Sequence, residues 1–238
     1  MAKRLEITFT KVILLMALLF PFSAAAQEKA GFGISAGADF VSSYVWRGIY
    51  QTGVAIQPGV TMSAGNFSLG VWGSTDFSTW AKEFDIALGY EAGAFSFGLT
   101  DYWWAGEGSP YRDYANSHFL EGNIGFNFGE SLPLSLSWST MFGYNGDKDV
   151  EDQQQYSTFI TAGYDFRVKD VAFTAGIGIS PWTGLYHKAG TEGFVLSTLS
   201  LKAMKEIKIT DSFTLPVFVE TIIAPNQDNV FLVFGISL

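Results

Sequence analysis

The sequence predicts an all-β fold: a transmembrane, antiparallel, up-and-down β-barrel of about twelve strands, preceded by a cleaved signal peptide. Three observations predict it. Apolar residues alternate with small or polar ones at period two through most of the 238 residues. Beyond the N-terminal leader no apolar run is long enough for a helical span, so only a closed barrel could satisfy this backbone in a bilayer. The connections between the alternating segments are tight and long by turns.

The leader comes first. Lys3, Arg4 and Lys11 precede an unbroken apolar run, Val12 to Phe20, and small residues ending in Ala24-Ala25-Ala26. This is the charged, apolar and cleavage-site order of an export signal, cut after Ala26, which leaves residues 27–238 as the barrel. A transmembrane anchor would need roughly 20 apolar residues, and Pro21 interrupts this run. Removing Lys3, Arg4, Lys11 and Glu6 moves the formal charge from −9 to −11. Such an acidic chain argues against nucleic acid as a partner. The absence of cysteine excludes disulfides, thiolate metal sites and cysteine nucleophiles.

Twelve segments alternate. The first runs from Phe32 to Tyr44. In the second, Val54, Ile56, Pro58, Val60 and Met62 oppose Ala55, Gln57, Gly59, Thr61 and Ser63. The pattern continues over 67–76, 84–91, 95–100, 119–128, 134–139, 156–166, 171–182, 194–210, 213–223 and 230–238, and is weakest over 194–210. The second face is mostly Ser, Thr, Gly and Asn, which suits a confined lumen with the apolar face turned to lipid.

Turns at Gly65-Asn66, Ala92-Gly93, 129–132 and 167–170 are tight; connections at 45–53, 105–117, 143–154 and 183–192 are long. Short periplasmic turns and long outer loops, with both termini periplasmic, are the expected arrangement. Trp46, Trp80, Trp103, Trp104 and Trp182 fall at the long-loop ends, as an outer aromatic girdle would, and Phe32, Phe67, Phe95, Phe128, Phe166 and Phe213 mark the other rim. Val230, Leu232, Phe234, Ile236 and Leu238 form one apolar row, the form of a signal read by the barrel-assembly machinery. Pro58 and Pro216 lie inside expected strands, where each removes a ladder donor.

Tyr44-Val45-Trp46-Arg47-Gly48, followed by Gln51 and by Pro58-Gly59, closely resembles the opening motif of the TorF-type porin family, a group of conserved hypothetical outer-membrane β-barrel proteins. Gly70 to Ser74, Tyr102-Trp103-Trp104 and Ser117 to Glu121 extend the resemblance over most of the chain. It implies an outer-membrane barrel and a pore, and no particular solute.

Strand parity puts Asp39, Asp76, Asp85, Glu91, Glu121, Asp165 and Glu220 on the small-residue face, against Lys202. Arg47 is either a cation at the pore mouth or a rim residue packed on Trp46. An acidic, water-filled lumen would favour cations. The expectation is therefore a monomeric outer-membrane channel for passive diffusion of small solutes, in contact with outer-membrane lipid and lipopolysaccharide, with no cofactor, metal or catalytic residue. The loop acids Asp147, Asp149, Glu151 and Asp152 show no ligand spacing. Two alternatives stand beside it. A lipid-modifying enzyme would rest on His118, at the right height and on the lipid-facing parity, or on His187, although neither has an evident orienting carboxylate. A non-conducting structural or surface-interaction barrel would be blocked by inward Trp72, Tyr102, Phe119 and Trp182.

Overall fold

The computed structural model describes residues 31–79, 82–105 and 109–238. The expected leader and Trp80 lie outside the described residues. Twelve antiparallel strands close a barrel. They are β1 (Phe32–Val41), β4 (Ala55–Ala64), β5 (Phe67–Asp76), β6 (Lys82–Ala92), β7 (Phe95–Ala105), β8 (His118–Asn127), β9 (Leu134–Met141), β10 (Thr158–Val168), β11 (Val171–Ser180), β12 (Val195–Lys208), β13 (Thr214–Ala224) and β14 (Asn229–Ser237). A separate hairpin, β2 (Tyr44–Trp46) and β3 (Ile49–Thr52), forms its own two-stranded sheet, and a single helical turn, α1 (Tyr114–Ser117), precedes β8.

Neighbours in sequence are neighbours in the barrel, and β1 closes it against β14. The alternation in sequence is the alternation in space. Val60, Leu88, Leu99, Leu136, Leu201 and Leu232 lie exposed on the outside, while Ala87, Thr100, Glu121 and Ser139 on the opposite parity are buried. The exterior is thus an apolar belt, and a closed barrel of this kind is consistent with an outer-membrane protein. The phenylalanine rim is as expected, with Phe32, Phe67, Phe95, Phe128, Phe166 and Phe213 all exposed at the short-turn end. The last strand presents Val230, Leu232 and Phe234 outward.

The prolines are absorbed where ladders lapse. The β4–β5 pairing passes from Ile56↔Thr75 to Gly59↔Trp72 across Pro58, and Pro216 lies one residue past the final β13–β14 pair, Val217↔Ile236. The 194–210 segment forms the long strand Val195–Lys208, whose pairing with β11 shifts at Gly178/Ile179, a bulge that interrupts the alternation near the strand's start.

The largest departure is at residues 42–54. The expected first strand stops at Val41, and the expected surface loop folds inward as the β2–β3 hairpin. Tyr44 and Trp46 join a buried cluster with Val41, Ala55, Trp72, Tyr102, Met141, Phe159, Tyr186, Phe218, Ile222 and Val233. Burial of these aromatic faces outweighs hydration of the loop. Two girdle assignments fail for the same reason: Trp46 and Trp104 pack against one another inside the barrel, ring centroids 5.4 Å apart. Trp182 fits the girdle and not the inward plug of the blocked-barrel alternative: it lies past the end of β11 and stands exposed beside Trp138.

Candidate functional site: a hairpin latched inside the barrel

The hairpin turns on Arg47 and Gly48, both at positive φ, +52° and +83°. This is the two-residue turn whose twist matches antiparallel strands. A Cβ on Gly48 would lie 2.9 Å from Thr198 Cγ2, 3.0 Å from the Ser197 carbonyl and 3.2 Å from Ala224 Cβ. Glycine is therefore required twice, for conformation and for the close approach to the far wall at β12 and β13. Arg47 has no such licence, since a left-handed non-glycine residue is strained. Its side-chain bonds hold it there.

The guanidinium reaches across to Glu121 on β8. Nη1 donates to Oε2 at 2.5 Å and Nη2 to Oε1 at 2.9 Å, a two-pronged pair. Nη1 also donates to the Tyr186 hydroxyl, and Tyr102 Oη donates to Glu121 Oε1 at 3.0 Å. Trp46, Phe159 and Tyr186 surround the guanidinium carbon at 4.6, 5.1 and 5.1 Å. Burial works against the charge on Arg47, and Glu121 beside it more than restores it. Tyr186 is fixed from outside: its carbonyl accepts from Asn226 Nδ2 at 2.9 Å and Gln227 Nε2 at 3.2 Å. The head of the hairpin is thus held by the side chains of Glu121, Tyr186 and Phe159, while its sheet is separate from that of the barrel wall.

The other expected lumen residues divide into two groups. Asp76 and Asp85 are buried in the outer half. Asp76 accepts from the Thr79 backbone N–H and the Ser78 hydroxyl, both at 2.9 Å, so it ties down the turn after β5. Asp39, Glu91, Asp165, Lys202 and Glu220 lie inward with partial or full access to solvent. Thr174 donates to Asp165 at 2.6 Å, Lys202 and Glu220 are cross-strand partners, and Lys202 Nζ sits 3.9 Å from the Phe218 ring. Around these the wall is small and polar, as at Ser137 and Thr161, whose hydroxyls are 2.5 Å apart.

The sequence reading missed Glu83, which shares the inward parity of Asp85 and is buried. It also missed the carboxylate beside His118. Asp101, outward on β7, faces His118 Nδ1 at 2.9 Å, while Nε2 faces the Tyr111 carbonyl at 2.8 Å. His118 is wholly buried under Tyr114, stacked at 4.0 Å. Both ring nitrogens are turned to oxygens of the protein itself, Asp101 and the Tyr111 carbonyl, and away from any open surface. His187 bonds the Gly193 carbonyl in its own loop. The 142–157 loop uses its acids internally: Asp147 accepts from Ser157 and Gln154, Asp149 from the Glu151 and Gln153 amides, and Asp152 pairs with Lys148.

One family model matches residues 25–191, more than half of the chain, and its description is a bacterial protein of unknown function, Gcw_chp. That description carries no porin name, unlike the resemblance drawn from the opening motif. No curated protein matches the chain.

Proposed function

Because the chain belongs to the Gcw_chp family of bacterial proteins of unknown function, we propose its role from geometry: a gated outer-membrane channel, closed at rest by the β2–β3 hairpin. The observation that carries this is the Arg47 head seated on Glu121 across the barrel. An always-open pore, as expected from parity alone, does not fit a lumen with that hairpin packed in it. A gate does fit, on two grounds. The hairpin's sheet is not part of the barrel sheet. Its anchor is a buried ion pair, a device better at fixing register than at adding stability.

With the hairpin out, small solutes would pass by diffusion along a wall lined by Asp39, Glu91, Asp165 and Glu220 against Lys202, which favours cations. The apolar belt would face outer-membrane lipid and lipopolysaccharide, the C-terminal strand would be read by the assembly machinery, and one chain would suffice. No chemistry is required of any side chain. The capped His118 ring supports a clamp for Tyr111 and Tyr114 over a lipid-modifying enzyme. The aromatic packing around the hairpin favours one rival, a permanently closed structural or surface-interaction barrel.

Single-channel recording in a planar bilayer separates them. Wild-type protein should be silent apart from rare openings, and Arg47→Ala should give steady steps whose reversal potential in a salt gradient shows cation preference. Silence in a folded Arg47→Ala barrel would leave the permanently closed reading.

A further inference from the structure

Arg47 and Glu121 pin the tip of the hairpin, and a second set of acids lies against its first strand. Glu83 and Asp85, two residues apart on the inward face of β6, are 5% and 0% exposed. Their carboxyl groups are turned to one another. The Tyr44 hydroxyl and the Trp104 indole N–H are set against Glu83, and the Trp103 backbone N–H against Asp85. None of these donors closes to full hydrogen-bond geometry on Asp85 or on Oε1 of Glu83. Titratable groups reach the pair from two neighbouring elements: Tyr44 from β2, and Tyr102 and Asp101 from β7. Across the other ladder β5 places only Trp72 and Ser74 opposite them. Among the described residues no basic side chain bears on the pair, and Arg47 is bound to Glu121.

Two carboxylates in mutual contact, shut away from water and from any cation, cannot both ionise. We propose that Glu83 and Asp85 share one proton while the hairpin is seated, and that loss of this proton as pH rises drives the hairpin out of the lumen. The pair acts on the hairpin through two contacts. Tyr44 lies on Glu83, and Trp46 packs against Trp104 and Tyr102, ring centroids 5.4 and 5.7 Å apart. The wall is the part that stays. β6 shares nine registered pairs with β5 and eleven with β7, whereas the hairpin's sheet is joined to neither.

The sign follows from counting protons. With the hairpin out, water reaches both carboxyl groups, and each ionises above the ordinary carboxylate range of about pH 4. With the hairpin seated, one proton stays. Closing therefore takes up a proton, so seating is strongest in acid and weakens as pH rises. For one proton the ratio of displaced to seated hairpin climbs about tenfold per pH unit, until the seated pair itself ionises. The inference rests on the gate reading in one respect, that the hairpin can leave; whether the vacated lumen conducts is a separate matter.

The test separates the two. The chain has no cysteine, so nitroxides at Tyr50→Cys and Val150→Cys, both exposed positions, report the hairpin's place by pulsed EPR distance in the refolded full barrel in lipid nanodiscs. Adding Arg47→Ala supplies the displaced distance. Between about pH 6 and pH 9 the seated distance should give way reversibly to the displaced one, the ratio rising about tenfold per unit. Asp85→Asn leaves Glu83 with the donors of Tyr44, Trp104 and an amide, so no proton need be shared, and the slope should fall below about twofold per unit. Glu83→Gln should flatten it too. His187→Ala, which removes a group that titrates in the same range, should keep the full slope. Heat-dependent gel mobility reports that each variant is folded. A distance that stays put across this range, or a slope that survives in both Asp85→Asn and Glu83→Gln, would overturn the proposal. Distances that shift as expected while the bilayer stays silent would uphold the switch and remove the channel.

Discussion

The two halves of the barrel interior are built on the same wall and filled differently. Toward the long loops, Trp46, Trp72, Tyr102, Phe159 and Tyr186 close around the hairpin. Toward the short turns, the inward positions are Ser35, Gly37, Thr61, Ser63, Ser135 and Ser137, half-buried or exposed. Outside, the apolar belt runs the length of both halves, with Phe67, Leu69 and Val71 along a single strand. The strand pattern therefore specifies the wall, and side-chain volume on the inward parity decides whether a stretch of lumen becomes a core or a passage. Ionisable groups follow the same division. In the outer half Arg47 and Glu121 are 10% and 1% exposed and bonded to one another, whereas Lys202 and Glu220 face each other with access to water.

The sharpest way to break the comparison is Glu121→Ala. It leaves the Arg47 guanidinium buried without its carboxylate, a loss of about 3–5 kcal/mol for a broken buried pair. The hairpin should leave the lumen, and limited proteolysis should cut near Arg47, a site protected in the wild type. Next is Gly48→Ala, which asks alanine to adopt the left-handed region at a cost of roughly 1–2 kcal/mol and drives its Cβ into Thr198 and the Ser197 carbonyl. A lower urea midpoint and slower Arg47 cleavage than in Glu121→Ala are expected. The smallest effect should come from the open half. Ser137→Ala removes one hydroxyl pair from a wall that water can reach, so the midpoint should move by no more than about 1 kcal/mol. A change at Ser137 as large as that at Glu121 would abolish the distinction between the halves.

The wall was legible in the sequence because lipid on one side and a narrow lumen on the other impose a strict period of two. The inward parity of Asp85, Glu121 and Glu220 followed from the same count. The hairpin was not legible. Tyr44, Trp46 and the Arg47-Gly48 turn read equally well as a surface loop, because their burial depends on Tyr102, Phe159 and Tyr186, far away in the chain. Glu83 could have been found by extending the parity of Asp85 one step back. Asp101 was signalled only by being a carboxylate on the lipid-facing parity. That it meets His118 depends on the β7–β8 register, in which Asp101 pairs with Leu120 and Trp103 with His118. A one-residue slip would have parted them.

The seam between β1 and β14 is the shortest ladder in the barrel wall. Three registered pairs join it, Asp39↔Ser237, Phe40↔Ile236 and Val41↔Gly235, flanked by backbone bonds between Ala38 and Leu238 and from Ser42 to Phe234, whereas β1 and β4 share ten pairs. Residues Phe32 to Gly37 are therefore paired on one flank alone. Kinetically, every other ladder joins strands that follow one another along the wall, but this one must bring together residues from its opposite ends for the least reward. It should be the last ladder to form as the protein folds and the first to unzip under an applied force, and a covalent bridge from position 39 to position 237 would slow unfolding more than the same bridge across any other pair of strands.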